Sequence, residues 1–458
     1  MKRLIISLIF FVTSPFTYAQ KTYVPDDNFE QALIDAGYDD ALDDSVLTAN
    51  ISGVTSLNVY SLQISDLTGI EDFILLEILE CANNQLTSLD VSNNTALTHL
   101  YCYENGFTGN QLTSLDVSNN TALTHLEVNG NQLTSLDVSN NTALIWLWCG
   151  GNQLTSLDVS NNTALTNLDC GGNQLTSLDV SNNIHLDGLY LAFNGLTILD
   201  VSNNTDLTRI DVYGNQLTSL DVSNHTGLTS IICGANQLTN LDVSNNIALT
   251  ELHCNGNQLT SLDVSNNTAL IHLQVYTNQL TSLDLSTNTG LSFLSCAYND
   301  LTVLDVSNNT ALININCSGN DLTALDVSNN TALLWLYCSW NDLTAVDISN
   351  NTALMLIGFT DNDLTALDVS SNTALTKLWC TDNQLTSLDV SNNTALTHLE
   401  VNGNQLTYLN MKNGVTDGLT TFNATNNDSL GCIETLDPGY ATANWTYANG
   451  NIDEGVTF

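Results

Sequence analysis

LTSLDVSNNTALTHLEVNGNQ, residues 112–132, is one full period of this chain. The stretch 110–134 around it returns letter for letter at 383–407, thirteen periods further on. Within the period, Leu112, Leu115, Val117, Leu123, Leu126 and Val128 are apolar. From His125 to Asn129 apolar and polar residues alternate, the two-residue period of a short strand with one buried face. The other half, LTSLDVSNNTA, is too short and too rich in Asn and Ser for a helix. It is expected to be extended or 3₁₀-like. The opening Leu recurs at 86, at 112 and then once per period to 406, sixteen units in all. The interval from 86 to 112 is longer than the others, and the excess lies within 104–110, expected as a protruding loop.

Units of this size bury their apolar face only by stacking on their neighbours. Leu123-x-x-Leu126-x-Val128-x-x-Asn131-x-Leu133 fits the leucine-rich repeat signature. The fold class that follows is a leucine-rich repeat solenoid, curved, with a parallel β-sheet on the concave face and an extended or 3₁₀ convex side. The recurring Asn, such as Asn131, supplies hydrogen bonds to turn backbone that an apolar side chain would leave unpaired. Residues 24–38, VPDDNFEQALIDAGY, predict a helix opening with acidic residues and hence a short N-terminal helical cap. The expected division is 1–19 signal peptide, 20–53 N-terminal cap, 54–409 solenoid and 410–458 C-terminal cap. The lone Cys432 in that last segment leaves truncation of the cap open.

The chain has 458 residues, 6 Lys plus Arg against 48 Asp plus Glu, and a net charge of -42. Nucleic acid, which needs clustered positive charge, is excluded as a partner, and an anionic membrane surface is disfavoured likewise. MKRLIISLIFFVTSPFTYAQ at the start pairs two basic residues with a short apolar run and a small-residue site, the pattern of a secretory signal peptide. No later stretch is long and apolar enough for a membrane helix. An exported, monomeric protein is expected.

With these residues in view, the chain resembles bacterial secreted leucine-rich repeat proteins. Its opening repeat, VTSLNVYSLQISDLTGIEDF at 54–73, resembles the internalin type. The LTSLDVSNNTALT-x-L-x-C units resemble those of Gram-negative surface proteins exported by the type IX route. The resemblance implies a non-enzymatic adhesion or ligand-binding module, secreted or at the surface of a Gram-negative bacterium. A structural or ice-interacting solenoid is the other function class, since Thr113, Thr121 and Thr124 recur in register.

Repeats within one chain can be compared with each other. LDVSNNT hardly changes, and variation gathers at the outward strand positions. These carry Tyr101, Tyr103, Trp146, Trp148, Tyr190, Arg209, Tyr213, His253, Tyr276, Trp335, Tyr337 and Trp379, the candidate ligand-binding residues. Large rings on a solvent face are the usual anchors of recognition. Trp146/Trp148 with Tyr101/Tyr103, and Trp335/Tyr337 with Trp379, are expected to form two patches for a protein or polysaccharide ligand.

Other chemistry finds less support. Ten of eleven Cys share one repeat slot with Val128, Leu191, Val212, Val275, Phe359 and Val401, which marks the slot as apolar core and not a disulfide, metal or nucleophile position. Fifteen Asp, from Asp90 to Asp389, recur in register. They are expected to bond local turn backbone. Calcium stays open as a cofactor because oxygen ligands abound, but the D-x-[DN]-x-[DN]-G loop is absent. No other cofactor is expected. His99, His125, His272 and His398 share one repeat position and lack the further ligands of a metal site. No nucleophile motif, phosphate loop or dinucleotide fingerprint occurs, so no catalytic residue is assigned.

Overall fold

A computed structural model describes residues 19–104, 106 and 109–458. The expected signal peptide lies outside the described residues but for its last residue, Ala19, and the expected loop at 104–110 lies partly outside them. The chain forms two compact units, Met1–Leu144 and Ile145–Phe458.

In the first unit the short strand Lys21–Tyr23 pairs antiparallel with Ser45–Leu47. Between them lies the helix Asp27–Asp35. Asp26 starts it, its carboxylate accepting from the Asn28 and Phe29 N–H groups, as a helix N-cap should. The other Asp26 oxygen accepts from Ser65 and Asp66 and ties the helix to the first repeat. Four short strands follow, Ser56–Asn58, Ile78–Glu80, His99–Tyr101 and His125–Glu127, paired in parallel.

The second unit repeats the same turn. Fourteen parallel strands run from Trp146–Trp148 to Thr421–Asn423, each residue pairing with its counterpart one period on until the last step, His398 to Thr421, which is slightly longer. The sixteen units opened by Leu86 to Leu406 lead into the strands from His99–Tyr101 to Thr421–Asn423, and two further strands, Ser56–Asn58 and Ile78–Glu80, precede them. All six apolar positions of the period are buried in turn after turn, and the ten in-register Cys sit in the same core. Cys432 alone is exposed, and all eleven thiols are free.

Away from the sheet, the backbone is extended with two successive turns per repeat, as in Leu270 N–H to Asn267 O after Asn267 N–H to Val264 O. A single 3₁₀ helix, Ile70–Asp72, occurs among the described residues. Two buried Asn per turn complete the hydrogen bonding. Asn257 donates to the carbonyls of Cys233 and Cys254 and accepts from Leu238 N–H. Asn267 donates to Val243 and Asn246 of the preceding turn. Near the C-terminal end, Ser387–Asp389, Tyr408–Met411 and Ile433–Thr435 form a second parallel sheet. Beyond it, the short helix Pro438–Asn444 is capped by Asp437, and Trp445 packs on Phe422 at 4.3 Å.

Candidate functional site

Because strand residues alternate sides, the residues before and after each buried Leu or Ile face solvent. All twelve predicted ligand residues stand at or just beyond these positions, each half-buried or exposed. In the first unit the His99 and His125 rings stack at 4.4 Å, and Tyr101 lies between Glu80 and Glu127 in register. Burial raises both carboxyls above their ordinary range. It raises the Tyr101 phenol as well, and the two neighbouring carboxylates push in the same direction. His125 is held low, first by burial and then by His99.

In the second unit two parallel rows cross the sheet face. One runs Trp148, Asp169, Tyr190, Asp211, Ile232, His253, Gln274. The other includes Trp146, Arg209, Ser230, Glu251, His272, Phe293, Asn314, Trp335, Leu356 and Lys377. The Trp146 and Trp148 rings stack at 5.6 Å. Tyr101 and Tyr103 belong to the first unit and this Trp pair to the second. Asp169 and Asp211 are half-buried, and burial raises their carboxyls. Around Tyr190, Arg209, Asp211, Ser230, Ile232 and Glu251 the face is hollowed into a cavity of ≈ 330 Å³.

The second predicted patch lies wholly in this unit. Gly358 sits between Tyr337 and Trp379 in register. A Cβ added there would meet the Tyr337 ring at 3.3 Å and the Trp379 ring at 3.8 Å, so the two rings close over the glycine. Lys377 Nζ lies 5.8 Å from the Trp379 ring centre, within cation–π range. Trp335, 36% exposed, stands next to Tyr337 on the same strand.

The sequence gives no hint of one further feature. The third residue after most strands of the main sheet adopts positive φ, and where many turns use Gly, as at Gly319, others use Phe193, Tyr298 or Trp340. Bulky residues are strained there. Their rings are exposed, Trp340 by 50%, with Tyr298 and Trp340 at 6.1 Å. Asp169, Glu251 and His272 stand in the same outward rows but are not among the predicted ligand residues, and strand pairing sets them beside that set.

Comparison with known proteins places this architecture. The functional domain of InlJ from Listeria monocytogenes, a structure described as including a cysteine ladder, superposes with a TM-score of 0.71 at 36% identity over 86% of this chain and 83% of that one. The chain belongs to the internalin-like leucine-rich repeat proteins. Internalin J of Listeria monocytogenes serotype 4b is 35% identical over 79 residues, 17% of this internalin-like chain but 8% of that protein's length. The internalin InlF of the same species matches at 23% identity, TM-score 0.58, over 75% of this chain and 97% of that one, which shows the fold alone. So does the ectodomain of the Arabidopsis receptor kinase HAESA, solved with a peptide hormone, at 21% identity, TM-score 0.65, and coverage of 84% and 80%. The LVIVD repeat family also matches, at 187–214, 293–316 and 335–359, each a segment holding two neighbouring strands of the internalin-like sheet.

Proposed function

We propose that this internalin-like protein is a non-enzymatic binding module whose solvent-facing sheet recognises an extracellular protein or polysaccharide. The observation that carries this is the pair of rings, Tyr337 and Trp379, closed over Gly358, with Trp335 exposed on the same strand as Tyr337. Flat rings beside a cation and a polar rim suit both peptide side chains and sugar faces. The HAESA ectodomain, of the same fold, was solved with a peptide hormone, which supports a protein or peptide ligand. The positive-φ rings support the same conclusion, since strain is retained where a surrounding structure and a use sustain it. Export to a Gram-negative surface by the type IX route is the proposed setting. No helix among the described residues is long and apolar enough to cross a membrane.

The water-ordering alternative needs free Thr hydroxyls. Thr229, Thr250 and Thr397 spend theirs on carbonyls of the preceding turn. That favours recognition by the variable face. The test is a screen of the chain on glycan and extracellular-protein arrays, with Trp335→Ala/Trp379→Ala and Trp146→Ala/Trp148→Ala alongside. Losing an anchor ring typically costs about 2 kcal/mol, roughly thirtyfold in affinity. A bound ligand indifferent to both double variants would reject the sheet face as the site.

A further inference from the structure

Strand Glu251–His253 pairs in register with His272–Gln274, Glu251 opposite His272 and His253 opposite Gln274. The four outward side chains therefore form a block two strands wide. One ligand atom each from Glu251, His253 and His272 lies within 4.8 Å of the others. His253 Nε2 is 3.2 Å from Glu251 Oε1. That nitrogen is buried and, despite the proximity, makes no hydrogen bond. Two ligands 2.0–2.1 Å from a tetrahedral zinc ion stand about 3.3–3.4 Å apart, so this spacing suits a shared cation.

The neighbours hold the three groups in place. Ser230 Oγ donates to Glu251 Oε2 and leaves Oε1 for the cluster. Phe293 packs on His272 at 4.2 Å, and the two imidazoles meet edge-on at 4.8 Å. Gln274 Nε2 lies 3.1 Å from His272 Nε2. With the Gln amide turned over, its oxygen accepts from that nitrogen and frees Nδ1, the outer-sphere arrangement usual for a metal-bound His.

We propose that Glu251, His253 and His272 bind one divalent transition-metal ion of the zinc class on the solvent face of the sheet. Two imidazoles and one carboxylate select zinc, cobalt, nickel or copper over calcium and magnesium, which take oxygen ligands. Three protein ligands leave a coordination position open. The site stands independently of the aromatic patch. Linear spacing hides it: His253 and His272 lie almost a full period apart, and it is the register of the repeat that sets them diagonally across two strands.

The test is a zinc titration of the intact chain against a chromophoric chelator, with excess magnesium to occupy the acidic surface. One equivalent of zinc is expected to bind. His253→Ala, His272→Ala and Glu251→Gln should each weaken it at least about tenfold, and His398→Ala should leave it unchanged. Cobalt in place of zinc should give a tetrahedral visible spectrum that His253→Gln abolishes while the far-UV circular dichroism stays the same. Absence of a stoichiometric site under magnesium, or affinity and spectrum indifferent to all the variants, would overturn the proposal.

Discussion

Asn257 and Asn267 carry the same amide, but their loss should not cost the same. Removing Asn257 strands three buried backbone groups, the carbonyls of Cys233 and Cys254 and the Leu238 N–H. Removing Asn267 strands two carbonyls, and its own oxygen has no partner among the described residues. At about 1–3 kcal/mol for each orphaned group, Asn257→Ala should be the more destabilising in urea unfolding. Equal midpoints would refute the ranking. His225 occupies the Asn267 position of an earlier turn and makes one contact there, Nε2 to Val201 O at 3.0 Å, where Asn makes two. His225→Asn should therefore stabilise the protein by about 1 kcal/mol. At Trp340, φ is 55°. There Gly should outperform Ala by about 1 kcal/mol, whereas at the strand residue Trp335 the order should reverse. Unfolding midpoints of the four variants check this.

The turn and the strand carry opposite carboxylates. In turns such as those of Asp137, Asp242 and Asp263, the Ser two residues on, through its hydroxyl and then its N–H, holds the carboxyl below its ordinary 3.8. That contribution is present above the unfolded value and is lost as pH falls through the lowered one. On the strands, burial raises Glu80, Glu127, Asp169 and Asp211, so these groups favour folding more once protonated. The melting temperature should accordingly rise as pH falls from neutral to about 5, helped by the shrinking negative charge, and drop below about 3.8. A melting temperature at pH 3 as high as that at pH 5 would contradict this. The strand half was legible because Leu126 and Val128 alternate with His125, Glu127 and Asn129, and the Asn131 position because its spacing from them is fixed. The second sheet was not. Ser387–Asp389 reads SLD, as at 114–116, and becomes a strand because Tyr408–Met411 lies beside it. His253 and His272 stood at outward repeat positions in the sequence, but their approach to Glu251 was not legible, since it depends on side-chain placement across two paired turns.

Across the second unit, the bonds between repeats run from one turn to the next, whether strand pairing or an Asn amide reaching back to the turn before, as Asn309 reaches Leu285 and Asn288. Excising one whole period, residues 301–321, should give a chain that still melts cooperatively, because the turns on either side of the gap present the same surfaces. Excising 301–311 should abolish cooperative melting, because it moves apolar residues from the core to the solvent side. Calorimetry of both deletions tests the point. Sameness of the turns also has a consequence for how the chain finds its shape. A nascent turn can dock on the turn before last almost as well as on the last, throwing out a loop of one period at only a modest entropic cost. LDVSNNT cannot tell the two apart. The departures in the buried ladders, His225 for Asn, Leu285 for Val and Ile348 for Val, are then the landmarks by which a miscounted coil is recognised as wrong. Replacing them with the majority letter would make a more regular solenoid and one more prone to lose count while it folds.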